Sequence, residues 1–132
     1  MAPPPSMSPL LPNDRGALGR HGEELAAAHL LDCGMRILAR NWRPRGMALR
    51  GELDIVALDG STVVACEVKT RRVCTHGTPA ESVTPGKVTR LRRLLTCWRI
   101  AHNVHGPLRV DVVGIVLPAD GPAQIAHLRG IG

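Results

Sequence analysis

The sequence predicts an α/β fold, a mixed β-sheet flanked by helices in the order helix, three strands, helix, strand. Three observations carry this. Residues 53–58 and 62–69 are short runs rich in β-branched residues on either side of Asp59-Gly60, a strong hairpin signal. Residues 14–33 and 85–101 repeat apolar residues at helical spacing. Residues 108–117 form a nearly continuous apolar run, as expected of a strand covered on both faces.

At 132 residues the chain is expected to form one domain over 14–132, behind a disordered Pro/Ser-rich tail at 1–13. The first helix is capped by Asn13 or Asp14 and ended by Gly34. Leu18, Leu25, Ala28 or His29, and Leu31 give it a loose apolar stripe, while Gly19, Gly22, Ala26 and Ala27 leave one side thin. Small residues let a helix approach a sheet closely, and Glu23 lies in the middle of that surface. Residues 36–42 read as an edge strand, 43–46 as a turn and 74–83 as a loop. Thr84 and Pro85 are the N-cap and first residue of the second helix, whose core face is Val88, Leu91, Leu94 or Leu95, and Trp98. The apolar run at 108–117 is interrupted by Asp111, for which an ion pair with an arginine is the ordinary reading. Residues 125–128 add a short edge strand.

The hairpin carries charges that are costly in a core strand unless paired or bound to an ion: Asp54, Glu67 and Lys69. With Asp59-Gly60 as a two-residue turn, Leu58 lies opposite Ser61 and Asp54 opposite Ala65. Side chains alternate along a strand, so Asp54, Glu67 and Lys69 then share a face, with Asp54 and Glu67 as diagonal neighbours. One divalent cation can bridge two such carboxylates. A loop of odd length would turn Asp54 to the other face.

The formal net charge is +6, and only Lys69 and Lys87 among the cations are lysines. Arginine forks match phosphate oxygens, which favours a nucleic-acid partner over the ordinary reading of a solvated basic surface. Arg40, Arg43, Arg45 and Arg50 approach the hairpin, Arg71 and Arg72 follow Lys69, and Lys87 and Arg90 lie on the second helix. There is no Phe or Tyr, so recognition by stacked bases is poorly served, and contact through backbone and shape is expected. None of the four cysteines forms a CxxC pair and histidines do not cluster around them, so no zinc site is expected. Reduced cysteines, the lack of a signal-peptide pattern and the absence of an apolar run near the roughly 18 residues of a membrane span point to the cytoplasm and away from membranes.

Gly51-Glu52-Leu53-Asp54 followed by Glu67-Val68-Lys69-Thr70-Arg71 resembles the D…ExK core of the PD-(D/E)xK nuclease superfamily. The wider set includes Gly19, Gly22-Glu23, Ala26, Ala39-Arg40-Asn41, residues 77–81, Lys87 and residues 109–113. Taken together, over residues 15–117, it resembles the YraN-like bacterial family, which is similar to Holliday-junction resolvases. The resemblance implies a restriction-endonuclease-like core. It implies Asp54 and Glu67 as metal-binding carboxylates, Glu23 as the helical carboxylate that completes the site, and Lys69 as the catalytic lysine. The position before Asp54 is Leu53 rather than the superfamily's proline. Mg²⁺ or Mn²⁺ is the implied cofactor, since hard cations take carboxylate and water oxygens. DNA, branched DNA included, is the implied partner, with Arg40, Arg43, Arg50, Arg71, Arg72, Lys87 and Arg90 on its phosphates. Resolvases act as symmetric pairs, so a homodimer is implied too. The function expected is metal-dependent hydrolysis of DNA phosphodiesters; the alternative is a non-catalytic nucleic-acid-binding adaptor on the same fold.

Overall fold

The computed structural model describes residues 15–46, 49–72 and 83–132. The proline-rich tail, the helix cap at Asn13 or Asp14 and residues 74–82 of the expected loop lie outside the described residues. Helix α1 (Arg15–Asp32) precedes strands β1 (Arg36–Trp42), β2 (Leu53–Asp59) and β3 (Thr62–Arg71). Helix α2 (Pro85–Ala101) then leads to β4 (Leu108–Val116) and β5 (Gln124–Leu128). The five strands form one sheet in the order β1-β2-β3-β4-β5. Every neighbouring pair is antiparallel except β3 and β4, which are parallel and joined through α2. This is the mixed α/β architecture expected of a restriction-endonuclease-like core.

Alternation along β3 divides the core in two. Val64 and Cys66 pack with Ala26, Ala27 and Leu30 of α1. Val63 and Ala65 pack with Leu91, Leu94, Leu95 and Trp98 of α2. The helices therefore cover opposite faces of the sheet. Helix α2 begins as its sequence dictates, with the Thr84 hydroxyl accepting the Lys87 N–H at 3.2 Å and Pro85 in the first turn.

Helix α1 ends at Gly34, whose φ of +86° suits a left-handed cap. Gly34 N–H donates to Leu31 O at 2.9 Å and Met35 N–H to Leu30 O at 3.0 Å, the paired bonds of a Schellman motif. Leu30 and Met35, the residues such a motif brings together, are both buried in the same cluster. The apolar stripe expected on α1 is displaced. Leu31 is 56% exposed and Ala28 is exposed; the buried residues are Ala17, Gly22, Ala26, Ala27 and Leu30. The small residues are thus the packing face. At Gly22 the approach is so close that an added Cβ would overlap the Thr70 side chain, whereas nothing lies within 4 Å of one added at Gly19.

The hairpin register also differs from expectation. Asp59 pairs with Thr62 and Val56 with Ala65, so the turn is Gly60-Ser61 rather than Asp59-Gly60. Gly60 has φ +61°, and glycine adopts that conformation at the first turn position without steric cost. The register slip is two residues, so parity is preserved, and Asp54, one residue beyond the last ladder pair of Ile55 and Cys66, lies towards Glu67 instead of Ala65. Among the described residues no helix is long and apolar enough to cross a membrane.

Candidate metal centre

The antiparallel ladder of β2 and β3 runs as far as Ile55 and Cys66. Beyond it the Asp54 carboxylate, rather than a main-chain carbonyl, accepts the Val68 N–H at 2.9 Å. Leu53 and Ile55 pack in the clusters on opposite faces, so strict alternation breaks across Asp54. This break lets one side chain meet groups from both sides of the sheet. Asp54 lies against Glu67 on β3, and one of its carboxylate oxygens lies within 4.8 Å of one each from Glu23 on α1 and Glu52 just before β2.

The electrostatics follow from this crowding. Burial, then the charge of Glu67, pushes the Asp54 carboxyl up to about 7. Burial and the facing Glu52 raise Glu23 as well, opposed by Arg40 and by a hydrogen bond from Asn41. Asn41 holds φ +53° within β1, a region that Asn tolerates better than other side-chain-bearing residues. Glu67 is buried, and Lys87 reaches it from α2 at 2.6 Å while Lys69 lies 3.6 Å away. Burial and the adjacent Lys87 ammonium lower the pKa of Lys69. Burial also works against the Lys87 charge, but Glu67 outweighs it and that pKa is raised. The donor set is entirely oxygen and over-supplied with negative charge, which fits a hard divalent cation.

The family model described as "Uncharacterised protein family UPF0102" matches residues 22–115. The chain belongs to UPF0102. It is 53% identical to a UPF0102 protein of Acidothermus cellulolyticus, covering 88% of this chain and 93% of the relative. It is 48% identical to one of Streptomyces coelicolor, covering 90% and 91%. With one of Kineococcus radiotolerans the identity is 47%, covering 89% and 94%. UPF0102 is the YraN-like family whose residues were recognised in the sequence, and its matched segment spans Glu23, Asp54, Glu67 and Lys69.

In this UPF0102 member the four residues expected at the centre do not stand alone. Glu52 joins Glu23 and Asp54. Residues 52 and 54 alternate onto one side of an extended chain, which is the signal that would have found it. Lys87, expected on phosphate, is in the centre against Glu67. Asn41 is a further contact to Glu23 whose role only its backbone geometry reveals. Of the arginines expected to surround the site, Arg40 pairs with Glu24 at 3.0 Å and Arg43 with Glu52 at 2.8 Å. Arg43, Arg50 and Glu52 line one cleft. The stem of Arg90 lies against Gly51, and Arg71 and Arg72 stand at the far end of β3. Asp111 pairs with Arg109, as read from the sequence. The expectation that no histidine gathers around a cysteine fails: His29, Cys33 and His127 place ligand atoms within 4.8 Å of one another. Chain folding, not sequence spacing, brings His127 there.

Proposed function

We propose that this protein is a metal-dependent endonuclease that hydrolyses DNA phosphodiesters, branched DNA included. The observation that carries the reading is the convergence of Asp54, Glu67 and Glu23 beside Lys69 at the point where β2 and β3 part. Asp54, Glu67 and Glu23, with Glu52, would hold Mg²⁺ or Mn²⁺. Such an ion supplies Lewis acidity towards a phosphoryl oxygen and a water acidic enough to attack at neutral pH. Lys69 would stabilise charge building on the phosphoryl oxygens and orient the attacking water. Lys87 neutralises Glu67 and keeps Lys69 from being drawn fully onto it. Arg40, Arg43, Arg50, Arg71, Arg72 and Arg90 would contact phosphates without reading sequence, in keeping with a chain that lacks Phe and Tyr. Two nicks across a junction require two centres, so the active species is a homodimer. A cytoplasmic location suits a DNA substrate and the unbridged Cys33, Cys66 and Cys97.

One observation favours the adaptor reading. Glu67 is already compensated internally by Lys87, so the centre is partly neutral without an ion. Incubating the protein with Mg²⁺ or Mn²⁺ and a panel of linear, flapped and four-way-junction DNA separates the two. The nuclease reading expects cleavage that falls by at least about 10²–10³-fold in Lys69→Ala and Asp54→Asn, the usual cost of removing a charge-stabilising group. Junction binding without cleavage in the wild type would leave the adaptor. Cleavage unchanged in both variants would sink the proposed centre.

A further inference from the structure

A second constellation lies away from the acidic centre, where the end of α1 meets the edge strand β5. His29 is in the last turn of α1 and Cys33 is four residues on, one helical turn along the same side. His127 faces them from β5, paired in the sheet with Val113 of the α1-side core. His29 Nε2 is 3.0 Å from His127 Nδ1, and Cys33 Sγ is 3.6 Å from His29 Nε2.

The orientation of His127 is fixed from behind. Its Nε2 lies 2.8 Å from Oδ2 of Asp111, a carboxylate with no solvent exposure. Asp111 also takes two hydrogen bonds from Arg109, at 2.8 and 2.9 Å, and one from the Gly130 N–H at 3.0 Å. These three bonds hold it ionised, so Nε2 of His127 faces an acceptor and carries the proton, and the lone pair of Nδ1 points at His29 and Cys33. A buried carboxylate behind an imidazole is the outer support that metal-binding histidines use.

We propose that His29, Cys33 and His127 form a zinc site, with a fourth position open to water. Two separations can be compared directly, and all three ligand atoms lie within 4.8 Å of one another. Zn–N bonds of about 2.0–2.1 Å and a Zn–S bond of about 2.3 Å in tetrahedral geometry place two nitrogens about 3.3 Å apart and nitrogen and sulfur about 3.6 Å apart. The two nitrogens here need to open by only a few tenths of an ångström. The thiolate and imidazoles select Zn²⁺ over Mg²⁺, the reverse of the all-oxygen centre. Cys33 is exposed, which gives the ion an entry path. A bound zinc would tie the C-terminus of α1 to β5, whose place in the sheet otherwise depends on β4. The site is independent of the nuclease reading.

The test uses the full chain, reduced and freed of metal by chelation, titrated with Co²⁺ as a spectroscopic probe and then with Zn²⁺. The expected result is one thiolate-bound Co²⁺ per chain, counted by its thiolate-to-cobalt charge-transfer absorption and tetrahedral visible bands, displaced by one Zn²⁺. Zinc raises the Tm of the wild type. Cys33→Ser, at an exposed position where folding is undisturbed, loses the charge-transfer band and the Tm rise. His29→Ala weakens zinc by more than the about 10–100-fold that loss of an outer support costs. Asp54→Asn changes none of these, which separates this site from the acidic one. A wild type without the thiolate band, or equal zinc affinity in wild type, Cys33→Ser and His29→Ala, overturns the proposal and leaves a metal-free chain of hydrogen bonds.

Discussion

Asp54 is held in a state that favours its own protonation. Its carboxyl titrates near 3.8 when unperturbed and is raised to about 7 in the fold by burial and by Glu67. Between those values the folded chain keeps a proton that the unfolded chain has released, so stability falls as pH rises. The contribution is complete below about pH 4 and gone once pH passes about 7, at about 1.4 kcal/mol for each unit of the window. Urea unfolding in chelator should therefore show the metal-free protein losing a few kcal/mol from this group between pH 5 and 8. Asp54→Asn should flatten that loss and leave the protein more stable at pH 8, because an amide still accepts the Val68 N–H. A pH slope that survives the substitution would assign it to another group. That Asp54 and Glu67 meet was legible from alternation and loop parity alone. The participation of Glu52 was missed because it precedes the strand; carrying the alternation one step back from Asp54 would have found it. Lys87 was read as a surface cation because helical spacing shows which side of α2 is apolar, not which strand residue lies beneath the other side.

Among the elements, α1 shows what glycine spacing can and cannot reveal. Its sequence marks a thin side, but leucine count pulls the expected packing stripe the wrong way, and Leu31 ends up exposed. Of the two glycines on the thin side, only Gly22 meets the sheet closely. Gly22→Ala should cost about 1–3 kcal/mol, because Thr70 is a short β-branched side chain that cannot swing aside. Gly19→Ala, three residues earlier in open space, should instead gain up to about 1 kcal/mol from helix propensity. Thermal melts of the two variants check the contrast; the same sign in both would mean the approach at Gly22 relaxes. The hairpin teaches a related lesson. The sequence signal located the turn to within two residues, and since only parity decides facing, the slip from Asp59-Gly60 to Gly60-Ser61 left the centre intact.

Across the whole molecule, two ionic assemblies anchor different parts of the sheet. The acidic centre joins α1, β2, β3 and α2. The second assembly radiates from Arg109, which binds Asp111 and also Asp59 at the end of β2 at 2.9 Å, while Asp111 holds His127 of β5. Burial raises the Asp111 carboxyl, but Arg109, the Gly130 N–H and His127 outweigh it and hold it below the usual carboxylate range. Its contribution is present above the ordinary carboxylate pKa and lost as pH falls through the depressed value, opposite in sign to that of Asp54. Asp111→Ala should cost about 3–5 kcal/mol in urea unfolding, since it strands Arg109 on β4, His127 on β5 and the Gly130 N–H beyond it. A loss under about 1 kcal/mol would mean that Arg109 is sufficiently served by Asp59. The pairing of Asp111 with an arginine was readable from its place in an apolar run. Its histidine partner was not, because only the return of the chain through β5 brings His127 to β4.

The main-chain hydrogen bond from Val68 to Asp54 also makes the protein a sensor of its own centre. The donor is a backbone amide and the acceptor is the group whose ionisation changes. In a ¹H–¹⁵N spectrum the Val68 cross-peak should move with a midpoint near pH 7 in chelator, and the midpoint should drop when the chelator is replaced by saturating Mg²⁺, a diamagnetic ion. A peak that ignores both proton and cation would show that this carboxylate does not gate what the strands can hold between them.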